Sequence, residues 1–163
     1  MLPVLQVLVV MLGAITMALA LAHALEYPGK MRLAKEQYVA TQAIYYPGFT
    51  FGGIAEISTV ILLAVLAFLT RGDGAVFWLT LGAFIAFTTL HAVFRLLTQP
   101  VNNFWVRDVN LSRAGRRFFG VGSRPEGEEP DWTELRDQWE GSHMIRAALG
   151  LAGLLLLAIS LVI

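Results

Sequence analysis

Long apolar runs, interrupted at only a few polar positions, are the main pattern along this chain. Four of them reach the roughly 20 residues that an α-helix needs to cross a bilayer: residues 2–25, 51–70, 74–97 and 143–163. Because a segment in lipid must satisfy its own backbone hydrogen bonds, such runs predict helices rather than strands. The pattern predicts an all-α membrane protein, with residues 1–163 forming one four-helix transmembrane bundle.

The connection over residues 26–50 predicts an amphipathic helix at the membrane surface. Pro28 and Gly29 are expected to end the first span. Residues 30–46 then mix apolar and basic positions up to a second Tyr-Pro-Gly sequence. Besides a surface connector, this segment could form a lid over an opening between the spans.

The connection over residues 98–142 predicts a surface loop followed by a second interfacial helix. Gly, Pro and Glu dominate residues 120–130, as is typical of loops. Asp131 and Glu134 have the spacing of a capping box, which predicts the start of a short helix. Trp132, Leu135 and Trp139 would share one face of that helix.

Composition and charge agree with a membrane protein and suggest an orientation. Hydrophobic residues make up 56% of the chain and charged residues 15%, unlike an ordinary soluble domain. Every Lys and Arg except Arg71 lies in the two longer connections or at the adjoining span ends. The positive-inside rule therefore predicts cytoplasmic connections and outside termini. The first run is longer than a signal-peptide core and has no basic residue before it, which predicts a retained span.

Ionisable residues within the predicted spans gather at the basic side. If the spans alternate in direction, all three histidines and two carboxylates come to this side. The set with its neighbouring arginines is His23, Glu26, Glu56, His91, Arg95, His143 and Arg146. Placing charged groups within the membrane costs free energy, so we expect these residues to pair with one another or to serve a function.

Three interpretations of the cluster stay open. In the first, His23, Glu26, Glu56, His91 and His143 bind a metal ion, since imidazole and carboxylate suit iron, copper, manganese or zinc. A haem between two histidines is a less favoured variant. In the second, a metal-free pocket pairs the carboxylates with arginines and uses a histidine as general base. In the third, the cluster is a structural ion-pair network or a set of snorkelling side chains.

Other motifs carry less information. The absence of cysteine excludes disulfides and thiolate ligands. Glycines at positions 52, 53, 150 and 153 predict close helix packing. The group Arg113, Arg116 and Arg117 favours anionic headgroups rather than nucleic acid as a partner.

Several positions resemble the anthrone-oxygenase-like family of small four-span membrane proteins, most of which have no assigned function. The resemblance rests on span order, on Pro100-Val-Asn102 after the third span, and on Trp139-x-x-x-His143-x-x-Arg146. It implies oxidation of polycyclic anthrones to quinones, with Asn102, Trp139, His143 and Arg146 as site residues. His23, Glu26, Glu56 and His91 have no matched position in an anthrone-oxidising member.

Together these features predict a membrane-embedded oxidoreductase or oxygenase-like protein for a lipophilic aromatic or quinone-like molecule. The expected catalytic residues are His143, His91 and Glu56, and the expected orienting residues are Asn102, Arg95, Arg146 and Trp139. The alternative is a non-catalytic subunit of a larger membrane complex. An autonomous enzyme would purify alone or as a homo-oligomer, whereas a subunit would purify with partners.

Overall fold

A computed structural model describes residues 2–45, 47–105 and 131–163 of the chain. These residues form α1 (Leu2–Lys30), α2 (Lys35–Gln42), a 3-10 turn (Ala43–Tyr45), α3 (Gly48–Leu69) and α4 (Ala75–Val93). A π-helical segment (Phe94–Thr98) continues α4 into α5 (Gln99–Trp105), and α6 spans Trp132–Ser160. The described part is almost entirely helical and contains no strand, so the predicted all-α class is confirmed.

Four long helices are each long and apolar enough to cross a membrane. They pack as a ring in the order α1, α3, α4 and α6. Large apolar side chains such as Val4, Phe51, Trp78 and Leu155 are more than half exposed on the outside of the ring. An apolar exterior of this kind suits contact with lipid rather than with water.

Two apolar cores lie at different heights in the bundle. One contains Val9, Leu63, Phe87, Leu90 and Leu157. We call its half of the bundle, with the α3–α4 turn, the apolar end. The second core is mostly aromatic and lies among α2, the 3-10 turn, α5 and the first turns of α6; it contains Tyr38, Tyr45, Val101, Trp105, Leu135 and Trp139. This half is the polar end, and the candidate site lies just inside it.

Three of the four glycines predicted to allow close helix packing lie where neighbouring helices approach closely. A Cβ at Gly153 would lie 2.9 Å from the Phe87 ring, and one at Gly150 would lie 3.2 Å from the Met17 backbone. A Cβ at Gly52 would overlap the Leu19 side chain. Glycine at these three positions lets α1, α3, α4 and α6 approach closely, as small residues do in membrane bundles.

The helices extend beyond the predicted boundaries at the polar end. Pro28 does not end α1, which continues to Lys30. Since proline lacks only its own N–H and lies in the last turn, the helix loses little there. The final turn is also held by Lys30, which is 5% exposed and forms ion pairs with Glu26 and Glu140.

The predicted short helix before the fourth span is instead the first part of α6. Asp131 is the N-cap, and its carboxylate accepts a hydrogen bond from the Thr133 backbone N–H at 2.8 Å. The helix then runs without a break to Ser160. Burial of Leu135 and Trp139 in the aromatic core holds these first turns in line with the span. The predicted loop over residues 120–130, the group Arg113, Arg116 and Arg117, and Tyr46 lie outside the described residues.

Candidate functional site

A cavity of about 370 Å³ lies inside the polar end of the bundle. Eight of the nine residues proposed from the sequence line it: His23, Glu56, His91, Arg95, Asn102, Trp139, His143 and Arg146. Aromatic side chains form much of the remaining wall: Tyr45, Phe49, Phe94 and Trp105. A concave, largely apolar space with a few convergent polar groups is the usual form of a small-molecule site.

Glu56 is the centre of the charged network in this cavity. Its Oε1 lies 2.8 Å from His91 Nδ1, and its Oε2 accepts a hydrogen bond from Arg146 Nη2 at 2.6 Å. Glu56 is 6% exposed and Arg146 8% exposed, so this is a buried ion pair between α3 and α6. The arginine fixes the position and charge of the carboxylate, and the carboxylate orients His91.

The hydrogen bonds distinguish His91 from the other two histidines. An ionised carboxylate only accepts, so Nδ1 of His91 donates to Glu56 and the lone pair lies on Nε2. Arginine only donates, so Nδ1 of His143 accepts from Arg146 at 3.2 Å and its hydrogen is on Nε2. His23 is like His143, because its Nδ1 lies 3.2 Å from the ammonium of Lys30. Only His91 has a basic nitrogen left over.

His91 is also the most accessible histidine. Its side chain is 34% exposed, whereas His23 and His143 are each 4% exposed. The two buried rings pack against each other in a tilted arrangement, with centroids 4.0 Å apart and planes inclined by 33°. Trp139 covers them, its ring centroid 4.3 Å from His143 and 4.9 Å from His23. The geometry makes His91 the histidine that a ligand in the cavity meets first.

A second charged cluster adjoins His23, and of its members the sequence analysis predicted only Glu26. The Lys30 ammonium lies 3.0 Å from Glu26 and 3.4 Å from Glu140. Tyr45 donates a hydrogen bond to Glu26 at 2.6 Å, and Tyr38 donates one to Glu140 at 2.9 Å. Desolvation raises the pKa of both tyrosines, and their carboxylate partners raise it further.

The sequence signal for this cluster was helical spacing. Lys30 follows Glu26 by one turn, and Glu140 precedes His143 by three residues. Lys30 had been assigned to a helix facing lipid headgroups, and Glu140 to a connection outside the spans. Glu26, predicted with the cavity residues, does not line the cavity. Its side chain is 40% exposed and faces the surface beside Tyr45.

Asn102 and Trp139 form a direct hydrogen bond, which explains why both belong to the site. The indole Nε1–H donates to Asn102 Oδ1 at 2.8 Å, and both residues are buried. Next to this pair, the hydroxyls of Thr98 and Ser142 lie 2.8 Å apart. These contacts fix the π-helical segment and α5 against α6, and they hold the Trp139 ring against the buried histidines.

The π-helical segment brings Arg95 to the cavity. Pro100 has no N–H, so the regular i to i−4 ladder is interrupted there. The Gln99 N–H bonds instead to the carbonyl of Phe94, five residues earlier. Such π-bulges shift the side chains that follow and are frequent at functional sites. Arg95 lies in this segment, is exposed, and lines the cavity four residues after His91.

The described residues contain no group of three or more His, Asp or Glu side chains placed to hold one metal ion. The metal, whether iron, copper, manganese or zinc, and the haem variant stay predictions. Three buried nitrogens of the site, Trp105 Nε1, His143 Nε2 and Arg146 Nε, have no hydrogen-bond partner among the described residues. Leaving a buried polar atom without a hydrogen bond costs about 1–3 kcal/mol, so such atoms are rare in folded proteins. Where they occur, a functional role is one explanation.

Comparisons with family models, curated proteins and solved structures find no match to this chain. The resemblance to the anthrone-oxygenase-like family is therefore untested.

Proposed function

We propose that this protein is a membrane-embedded oxidoreductase of the oxygenase-like type that acts on a lipophilic aromatic or quinone-like molecule in the bundle cavity. The observation that carries the proposal is the Glu56–His91 pair at the cavity wall, in which Nδ1 of His91 lies 2.8 Å from the carboxylate. A neutral His91 that donates from Nδ1 has Nε2 as its basic nitrogen. A carboxylate that orients a histidine is a common arrangement for general-base catalysis.

In the proposed reaction, His91 takes a proton from an acidic C–H or O–H group of the ligand. Glu56 stabilises the imidazolium that forms, and Arg146 keeps Glu56 ionised and in place. Arg95, four residues from His91, stabilises the negative charge left on the ligand. The aromatic wall binds the ring system, through stacking and burial of apolar surface.

For an anthrone, which the resemblance implies, the overall oxidation is balanced with molecular oxygen as the oxidant. The ring methylene loses two hydrogens and gains one oxygen atom, and the second oxygen atom leaves in water. The general base is needed for the first step, since the carbanion reacts with oxygen far more readily than the neutral C–H. A bound metal ion would assist the reaction of the carbanion with oxygen. The roles of His91, Glu56, Arg146 and Arg95 described above do not depend on a metal.

The test is aerobic conversion of an anthrone probe to the quinone, followed by absorbance in vesicles containing the purified protein. Wild type should accelerate conversion over empty vesicles. His91→Gln should lower the rate by about 10²-fold or more, the usual contribution of a general base. Glu134→Gln, on the exposed start of α6, should leave the rate unchanged. Conversion that is equally fast in the His91 variant would contradict the proposal.

The same buried ion pairs would also suit a non-catalytic subunit, for which they would only hold the helices together. Purification in mild detergent separates the two functions. An autonomous enzyme is recovered alone or as a homo-oligomer and binds quinones, whereas a subunit is recovered with stoichiometric partner chains and leaves the cavity unused.

The proposed orientation places the polar end, and with it the cavity, on the cytoplasmic side. It rests on the basic residues of the two longer connections. Because the chain has no cysteine, a single Arg32→Cys variant reports the side directly. A membrane-impermeant maleimide should label it only after the cells are opened. Labelling in intact cells would contradict this orientation and place the polar end outside.

A further inference from the structure

The cavity has one wall that reaches the outer surface of the bundle. Ile57 on α3 and Arg95 on the π-helical segment both line the cavity and are exposed, and His91 beside them is 34% exposed. The residues of the opposite wall, His23, His143 and Trp139, are each 4% exposed. The cavity therefore opens sideways, at the seam between α3 and the end of α4. We call this opening the lateral mouth.

The surroundings of the lateral mouth are apolar. Ile54 and Ile61 flank Ile57 on the same helix and are 65% and 57% exposed. On the other side of the seam, Leu96 is 71% exposed. By helical rise, Ile57 lies about 13 Å along α3 from its first residue, Gly48. At that depth a span of a membrane bundle faces hydrocarbon rather than water.

The aqueous end of the cavity is closed by packed side chains. Tyr45 and Trp139 belong to the aromatic core and are 6% and 4% exposed. Gln42, which also lines the cavity from α2, is 3% exposed. The described residues thus leave the side facing lipid more open than the end facing water.

Arg95 is the one cationic residue of the cavity wall that has no carboxylate within ion-pair distance among the described residues. Arg146, the other, is paired with Glu56. The Arg95 stem can lie along the apolar seam while its guanidinium stays at the mouth. A guanidinium binds oxyanions strongly, often through two parallel hydrogen bonds. The mouth therefore offers a site for a negatively charged oxygen.

We propose that the cavity takes its ligand from the bilayer through the lateral mouth, and that Arg95 there selects aromatic ligands carrying an acidic oxygen. The ring system enters the aromatic cavity, and the phenolate or enolate oxygen stays at the guanidinium, next to His91. This inference rests on the proposed function, because it assumes that the cavity binds an aromatic ligand, and it names the class of that ligand.

The test compares two quinones of nearly equal size in vesicles containing the full chain. One is a hydroxy-naphthoquinone that is ionised at neutral pH, and the other is a methyl-naphthoquinone that is neutral. Trp105 and Trp139 line the cavity, so binding is measured as quenching of tryptophan fluorescence. Replacing the exposed Trp78 with Phe removes background emission from the other end of the bundle.

Wild type should bind the ionised quinone about fivefold more tightly than the neutral one, the upper range for an exposed charge pair. Arg95→Gln should abolish that preference by weakening binding of the ionised quinone. Arg32→Gln, also exposed but away from the cavity, should keep the wild-type preference.

The possible failures are distinguishable. Equal binding of both quinones, or a preference that survives in Arg95→Gln, overturns the inference and leaves the proposed function standing. Quenching by neither quinone contradicts both. Anionic lipid could supply the same oxyanion chemistry, so the titration is repeated in zwitterionic and anionic vesicles. If the preference for the ionised quinone disappears in anionic vesicles, Arg95 binds lipid headgroups. That result would overturn the claim that Arg95 selects the ligand.

Entry from lipid is tested by a matched pair on α3. Ile57→Phe narrows the lateral mouth, whereas Ile61→Phe adds the same bulk one turn away on the same outward face. Quinone dissolved in the vesicle membrane should quench the tryptophan fluorescence several-fold more slowly in the Ile57 variant than in wild type. In the Ile61 variant the quenching rate should equal that of wild type. Equal rates in the two variants would overturn entry through this seam.

Discussion

Glu56 and Arg146 lie 90 positions apart in the chain, and the structure brings them together in a buried ion pair of 2.6 Å. This contact joins α3 to α6 across the cavity. It also determines the state of His91, because the carboxylate that Arg146 holds is the one that accepts the His91 hydrogen bond. One arginine therefore supports both the fold and the proposed chemistry.

Loss of this arginine should destabilise the bundle. Arg146→Gln leaves the Glu56 carboxylate buried without its cation, and the free energy of unfolding should fall by about 3–5 kcal/mol. Arg32→Gln, an exposed control, should change it by no more than about 0.5 kcal/mol. Thermal unfolding in detergent, followed by circular dichroism, measures both. Adding Glu56→Gln to the Arg146 variant should restore part of the loss, and no recovery would argue against a paired charge.

Lys30 should stabilise the bundle as much as Arg146 does, although the sequence analysis assigned it no such role. Lys30→Met leaves Glu140, which is 1% exposed, without the ammonium at 3.4 Å. The free energy of unfolding should fall by about 3 kcal/mol or more. Lys35→Met, at the exposed start of α2, is the matched control and should behave like wild type. If both lysine variants unfold at the wild-type temperature, Lys30 and Glu140 do not form a stabilising pair.

The three histidines should differ in where they carry hydrogen. Nitrogen NMR of protein labelled at histidine should find the hydrogen of His91 on Nδ1, and those of His23 and His143 on Nε2. The reason is that Nδ1 of His91 is within hydrogen-bond distance of a carboxylate, whereas Nδ1 of His23 and of His143 is within hydrogen-bond distance of a cation. Single His→Gln variants assign the signals. The same tautomer at all three positions would remove the argument for His91 as the base.

Stability should fall at alkaline pH because of Tyr38 and Tyr45. Burial raises the pKa of both in the folded state, so the folded chain retains protons that the unfolded chain releases. Their contribution is fully present below the unfolded value of about 10 and is lost as pH rises above it. The free energy of unfolding should therefore decline above about pH 10. Tyr38→Phe should make the decline shallower, and an unchanged slope would contradict the assignment.

The apolar runs were sufficient to predict the bundle, because a span must be long and apolar wherever it packs. They were not sufficient to predict where the helices end. Lys30, Leu135 and Trp139 extend α1 and α6 through contacts with distant residues, and no local pattern contains those contacts.

Alternation of the spans brought six predicted residues to one cavity, because each lies a few turns from the same end: His23, Glu56, His91, Arg95, His143 and Arg146. Asn102 and Trp139, which the family resemblance indicated, line the same cavity. It could not identify the partner of each residue. Whether His91 or His143 meets Glu56 depends on helix rotation about the bundle axis, which the sequence analysis did not determine. Glu26 lies 3.8 Å from His23, as its helical spacing indicated, but its carboxylate accepts a hydrogen bond from Tyr45 and does not line the cavity.

The central claim is that His91 removes a proton from a lipophilic aromatic ligand, and isotope exchange tests it without any oxidant or metal. An anthrone probe in vesicles made in heavy water, kept free of oxygen, exchanges its methylene hydrogens only through the carbanion. Wild type should accelerate that exchange over empty vesicles, His91→Gln should lose about 10²-fold or more of the acceleration, and Glu134→Gln should keep it. Exchange no faster than in empty vesicles, or equal in wild type and His91→Gln, would contradict the account.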